Sequence, residues 1–447
     1  MEALETNAHL WGRRLAANLP STGRNPALRA QRRMMQTMIG DPRLRAALFR
    51  FVDVRPACRD RAELVRHLHE YLEEAAVDSG TARTLSGLVA RRALELPTAS
   101  AAAFGVAQMA HRFIAGEDAR AAAPELTALW RQGRCVTLDL LGEATLTEEE
   151  GAVYAARCAD TLRTLARTGA GWEPQPLLEH DGLGPLPRAN LSVKVSALTP
   201  HLRANAPARA LEAARERLLM LMRLARELDA HLHIDMESLD TRQSITELVL
   251  DLLSEPEFEH GPSAGIVLQG YLTDSEEELD RLLDWMRERP RGAPFTIRLV
   301  KGAYWDHEVV MAVQNGWASP VFSDRRSCDR HYEHLTRRLL EARAEGMRLR
   351  PAIASHNLRS LAHALAYSDQ LGLAPDALEL QVLRGLGDDT AAAISALGRR
   401  VRVYCPVGDL VAGMAYLVRR LLENTSNDSF LAAQTTGAEL DLLLEKP

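Results

Sequence analysis

Gly265-Ile266-Val267-Leu268-Gln269, then Ser275 to Arg287, then Phe295-Thr296-Ile297-Arg298-Leu299-Val300 is the stretch that decides the fold. The two short runs are apolar and β-branched, as strands buried on both faces require, and the segment between them has helical periodicity. The same alternation extends outward in both directions. Further strands are expected at Cys135 to Leu140, Leu191 to Val195, His231 to Met236, Pro351 to Ala354, Leu378 to Val382 and Val401 to Tyr404. Amphipathic helices are expected at Glu148 to Arg167, Pro207 to Leu228 and His331 to Ala344. Eight strands, each followed by helix, predict an α/β fold, a (β/α)8 barrel. A doubly wound open sheet competes, but no GxGxxG follows the first strand.

Composition sets the outer limits. The chain has 447 residues, 46% hydrophobic and 26% charged, which is the balance of a soluble globular protein. A net charge of −6 without a basic tail offers no footprint for nucleic acid. Five widely spaced cysteines without a CxxC predict reduced thiols in a cytoplasm, and exclude zinc ribbons. No signal peptide or membrane-spanning run is apparent, so any membrane contact is expected to be peripheral, at the inner face of the cytoplasmic membrane. Lysine stands only at 194, 301 and 446, and Lys194 and Lys301 both close short β-like runs.

Residues 1–133 read almost entirely as helix, broken at Pro20 to Gly23, Gly40 to Pro42 and Gly116 to Asp118. They predict a helical arm and α-domain that acts as a scaffold or oligomerisation surface. The barrel is expected over 134–431 and a C-terminal tail over 432–447. The Gly/Pro-rich loop from Gly169 to Pro187 is read as a surface insertion.

In such barrels chemistry is built where strands end. Here the ends carry Asp139 and Glu143, Lys194, Asp235 and Glu237, Gln269, Arg298 with Lys301, Ser355-His356-Asn357, Arg384 after Leu383, and Tyr404. Gln269, Arg298, Lys301 and His356 suit a dinucleotide, with cations for a pyrophosphate and donors for a polar heterocycle, while Tyr304 and Trp305 could stack on a ring. No Ser/His/Asp or Cys/His nucleophile arrangement suggests itself. His231 and His233 share a strand face, as the ligands of a metal-dependent barrel hydrolase do. His231 lies at the strand entrance, however, and only His356 is left as a third imidazole, so no metal is expected.

The stretch Tyr416 to Asn424 adds an arginine pair on a helix. At about 100° per residue, Leu410, Met414, Leu417, Val418 and Leu421 cluster on one side and Tyr416, Arg419, Arg420 and Glu423 on the other. Two guanidinium forks on such a helix suit bidentate capture of a carboxylate or phosphate, although by spacing alone the face could simply be solvated.

Ile297-Arg298-Leu299-Val300-Lys301-Gly302-Ala303-Tyr304-Trp305-Asp306, Tyr404 to Gly408 and Tyr416 to Asn424, occurring in that order, resemble flavin-dependent proline dehydrogenase. The similarity runs from about Cys135 to Leu431, and the N-terminal helices resemble the arm and α-domain of bifunctional proline utilization A. The aldehyde dehydrogenase half and a ribbon-helix-helix segment are not seen. The resemblance implies oxidation of L-proline to Δ1-pyrroline-5-carboxylate, hydride passing from C5 to N5 of FAD and electrons on to a quinone. It implies that Lys194, Arg419 and Arg420 bind the carboxylate, and that Tyr404 and Leu383 pack on the ring. Asp235 would support the tyrosine and arginine, with Glu143 as partner of Arg419. Gln269, Arg298, Val300, Lys301, Gly302, Ala303, Trp305, His356, Asn357 and Glu423 would line FAD, and the last helix would cap the strand ends. Cys405 and Ser355 stand where some members have Ala and Thr. A homo-oligomer through the N-terminal arm is expected as well, and hydroxyproline dehydrogenase, a metal-dependent hydrolase and an inactive helical scaffold are the rival readings.

Overall fold

Eight strands run parallel and in chain order around a closed barrel: β1 (Cys135–Leu140), β2 (Asn190–Lys194), β3 (His231–Asp235), β4 (Ser263–Gln269), β5 (Phe295–Val300), β6 (Leu349–Ala354), β7 (Glu379–Leu383) and β8 (Val401–Val407). β8 returns to pair with β1 from Cys135 against Arg402 to Leu140 against Val407. This computed structural model describes residues 2–20, 61–77, 113–141, 145–202, 207–408 and 440–447, with single positions between 43 and 83. Helices α1 (Glu2–Ala17), α2 (Arg61–Ala76) and α3 (Ala119–Arg131) precede the barrel. Around it lie α4 (Glu148–Ala170), α5 (Pro207–Glu227), α6 (Leu239–Leu253), α7 (Ser275–Glu288), α8 (Trp305–Asn315), α9 (Arg325–Ala344), α10 (Leu358–Gln370) and α11 (Asp388–Ala396).

Strand alternation divides the sheet into two unlike faces. Leu138, Val193, Leu232, Ile266, Ile297, Ile353, Leu380 and Val403 are buried in one hydrophobic cluster with the helices, so the apolar core is the layer between sheet and helices. The alternate positions are largely polar, including Ser192, Lys194, His231, His233, Asp235, Gln269, Arg298, Arg350, Glu379, Gln381 and Arg402, all buried. They meet across the lumen. Gly265 serves this interior, since a Cβ there would lie 2.6 Å from His233 Nδ1.

The base of the barrel is a web of charge. Arg402 donates to both carboxylate oxygens of Glu379 at 2.8 and 2.9 Å, and Arg350 to those of Asp181 at 2.9 and 3.1 Å. Asp181 belongs to the 169–187 segment, which is therefore not a surface insertion: it buries Trp172 and Leu178 and closes the base with a one-turn helix and a two-stranded ribbon. An unpaired Arg350 in the interior would be costly, and the loop supplies its counter-charge.

Helix starts follow local chemistry. Thr147 and Glu150 form a reciprocal capping box that opens α4, and Asp324 caps α9 by accepting from Ser327 N at 2.9 Å. That cap starts α9 six residues before the expected His331. β8 also runs three residues past Tyr404, because β1 stays paired with it as far as Leu140 against Val407 and the Ala115–Gly116 segment takes the place of β7 on its other side, Ala115 N donating to Pro406 O at 2.8 Å. Among the described cysteines, Cys135, Cys158, Cys328 and Cys405 are free thiols, and burial raises each pKa, that of Cys405 to about 12.

Candidate active site

The strand ends gather the polar residues into one layer. Arg298 of β5 reaches across the lumen to β2 and β3, donating from one Nη to Ser192 Oγ at 3.1 Å and to Asp235 Oδ1 at 2.8 Å. Tyr404 of β8 donates to the other oxygen of Asp235 at 2.6 Å, and its ring centre lies 5.4 Å from the Arg298 guanidinium carbon. Asp235 thus ties an arginine and a tyrosine from strands far apart in the chain. On the neighbouring strand β2, Lys194 forms a buried ion pair with Asp139 of β1.

Gln269 ends β4, next to Arg298 in the barrel. Its amide nitrogen donates to the Glu237 carbonyl at 3.3 Å, while its Oε1 is buried with no partner among the described residues. Arg298 Nε is in the same condition. A buried acceptor and a buried donor left open on neighbouring strands carry a desolvation cost unless something else meets them.

Two turns complete the rim. After β5, Val300 and Lys301 give their carbonyls to Gly270 N and Tyr271 N at 2.8 and 2.7 Å, and Lys301 Nζ pairs with Asp329 of α9. Gly302 follows with φ +126, where a Cβ would be 2.1 Å from the Tyr271 ring. Only glycine fits that approach. Ala303 is half-buried, and Trp305 is exposed at the start of α8, its indole donating to Phe322 O at 2.9 Å. After β6, Asn357 Oδ1 caps α10 by accepting from Arg359 N at 2.9 Å, and His356 Nε2 accepts from Leu383 N at 3.4 Å, joining that turn to the end of β7.

The expected site residues Lys194, Asp235, Gln269, Arg298, Val300, Lys301, Gly302, Ala303, Trp305, His356, Asn357, Leu383 and Tyr404 thus all lie at one end of the barrel. Arg384 does not join them, for its guanidinium pairs with Glu125 of α3. Glu143, Arg419, Arg420 and Glu423 lie outside the described residues. Sequence reading passed over Ser192, which bonds Arg298, and gave Asp139 no task. Their signal is the i,i+2 alternation that puts Ser192 on the same strand face as Lys194.

His231 and His233 lie deeper, towards the base. His231 Nδ1 meets Ser263 Oγ at 2.8 Å, and its Nε2 meets His233 Nδ1 at 3.1 Å. Burial holds both well below the usual histidine range, with the nearby arginines adding to the effect. Among the described residues, no group of three or more His, Cys, Asp or Glu is placed to hold a metal ion.

Residues 122–433 match the model of the proline dehydrogenase family, and residues 5–113 that of the proline utilization A N-terminal domain. The bifunctional protein PutA of Escherichia coli is 32% identical over 348 residues, which are 76% of this chain and 25% of that protein. Proline dehydrogenase 1 of Bacillus subtilis is 27% identical over 335 residues, 75% of this chain and 93% of that one. Proline utilization A from Bdellovibrio bacteriovorus, crystallised after inactivation by N-propargylglycine, superposes with a TM-score of 0.86 at 34% identity, covering 99% of this chain and 44% of that one. The chain thus spans about a quarter of the length of its Escherichia coli relative.

Proposed function

Since this chain belongs to the proline dehydrogenase family, we propose that it oxidises L-proline to Δ1-pyrroline-5-carboxylate with FAD as cofactor and a quinone as final acceptor. The observation that carries the cofactor is the pair of buried, unmatched atoms on neighbouring strands, Gln269 Oε1 and Arg298 Nε. A planar heterocycle with an N–H to give and a ring nitrogen to receive answers both, and an isoalloxazine has these groups. FAD, when bound, supplies a two-electron acceptor that takes hydride at N5. Val300, Lys301, Gly302, Ala303, Trp305, His356, Asn357 and Glu423 would line the rest of it, Gly302 leaving backbone bare for close approach.

The protein's own work is positioning. Lys194 lies at the rim with donors for a carboxylate, and Arg419 and Arg420 would add two forks, with Glu143 as partner of Arg419. Tyr404 and Leu383 wall the ring from β8 and β7. Asp235 holds the Tyr404 hydroxyl, so the phenol has one fixed orientation. Anchoring a small ring by its carboxylate leaves C5 at the far side, placed for transfer without a general base, the amine proton having left to solvent. The working division is a helical arm and α-domain over 1–133, a catalytic barrel over 134–431 and a tail over 432–447, with self-association through the arm. No described helix is long and apolar enough to cross a membrane, so a membrane quinone would be met at the surface.

The test is anaerobic. The chain purified with FAD should be yellow, and L-proline should bleach the flavin band. A protein that takes up no FAD, or one that holds FAD unbleached by saturating proline, overturns the reading.

A further inference from the structure

Lys194 and Asp139 are both nearly out of water, 8% and 2% exposed, and their side chains form an ion pair between adjacent strands. An ammonium buried this deeply tends to lose its proton unless an opposite charge holds it. Among the described residues, the other titratable or charged groups around it are few. Tyr154 of α4 bonds the Lys194 backbone N at 3.4 Å, and Cys158 of the same helix interacts electrostatically with the ammonium. Burial pushes both acids up, leaving them neutral at ordinary pH. Arg157 acts on Cys158 as well, and donates to the Leu141 carbonyl at 3.3 Å. On β3, Asp235 stands in register with Lys194 but is engaged by Arg298 and Tyr404. Among the described residues, Asp139 is the carboxylate whose ion pair with Lys194 favours its charged form.

We propose that Asp139 is a positioning residue that keeps Lys194 protonated and aims its ammonium at the substrate carboxylate. It acts through Lys194 and rests on the carboxylate-binding reading of that residue. An ammonium has three donors, so the one given to Asp139 fixes the directions of the other two. The arrangement carries a cost, because Asp139 also competes with the substrate for the same charge. Removing it should therefore act in opposite senses at low and high pH.

Only three lysines occur in the chain, at 194, 301 and 446, so amine labelling can be read residue by residue with a small acylating reagent and mass spectrometry. In the parent, Lys194 should become reactive at a pH no lower than exposed Lys446; a lower value overturns the proposal with no variant needed. In Asp139→Asn the half-reactive pH of Lys194 should fall by about one unit or more, with Lys301 and Lys446 unmoved, and Asp139→Glu should restore it. An unshifted Lys194 in a folded Asp139→Asn protein also overturns it. Calorimetric titration with tetrahydro-2-furoate, in excess FAD, separates the underlying reading. Affinity in Asp139→Asn should hold or improve at pH 6 and fall about tenfold by pH 9, a crossing that general loosening of the rim would not produce. A shifted Lys194 with unchanged analogue affinity at both pH values would keep the Asp139–Lys194 coupling and overturn the carboxylate role of Lys194. Equal weakening at both values would overturn the positioning role.

Discussion

Tyr404 shows how one side chain gains a task from its partners. Its hydroxyl is tied to Asp235 and its ring lies by Arg298, so it cannot swing aside to admit a bulkier substrate. The chain should prefer proline to trans-4-hydroxyproline, and Tyr404→Ser should narrow that preference by about tenfold or more, since a ring-sized space opens beside C4. Comparison of kcat/KM for the two substrates in parent and variant checks it, and equal values in the parent would remove Tyr404 from the specificity argument. Arg298 gains its task in the same way: with Ser192 and Asp235 engaging one Nη, its Nε is left for a ligand.

At the scale of elements, the turn between β5 and α8 is set by backbone as much as by side chains. Gly302 has φ +126 and approaches Tyr271 too closely for any Cβ. Gly302→Val should strain the turn by about 1–3 kcal/mol and weaken FAD binding at least tenfold, with the barrel intact by circular dichroism. Unchanged flavin affinity by fluorescence titration would show that the turn is not part of the cofactor site. On the outside of the barrel α1 is fastened to α10. Trp11 donates to Asp369 at 2.6 Å, and Arg359 binds Glu5 at 2.6 and 3.1 Å, Glu333 at 2.6 and 3.0 Å and the Leu444 carbonyl at 3.2 Å. One guanidinium thus joins the N-terminal helix and the C-terminal residues to the barrel. Glu5→Ala should cost about 1–3 kcal/mol, the worth of charged hydrogen bonds partly open to solvent, and should release α1 to limited proteolysis. A resistant α1 would show that apolar packing through Leu4, Ala8 and Leu15 holds it alone.

For the molecule as a whole, the polar barrel interior makes stability depend on pH. Burial lowers the pKa of His231 and His233 well below the usual range and that of His363 to about 3, so all three remain neutral in the folded chain. The unfolded chain protonates them below about pH 6.5, so stability falls as pH drops through that value, by about 1.4 kcal/mol per pH unit for each histidine. Glu379 adds to the loss further down. Burial alone would raise it, but Arg402 and Arg400 outweigh that and set it at about 2, so its contribution is present above about pH 4.5 and lost as pH falls towards 2. Thermal melts should therefore show Tm steady above pH 7 and falling steeply between pH 6.5 and 4.5. A flat Tm over that interval would mean these imidazoles are hydrated.

The sequence by itself determined the elements, because helix and strand periodicities are properties of windows of about ten residues. Cys135–Leu140 and Phe295–Val300 form as read, and the other strands shift by a few residues at their ends. It also showed which residues close the strands, and once the barrel is accepted that places Lys194, Asp235, Gln269, Arg298 and Tyr404 at one rim. What only the tertiary structure decided is which of them touch. Arg298 meets Ser192 across 106 residues and Tyr404 meets Asp235 across 169, contacts created by closure of the barrel and carried by no local pattern. The same holds for the 169–187 loop, read as surface because it is rich in Gly and Pro. It is drawn to the base by the buried charge of Arg350, which only the closed barrel puts out of reach of water.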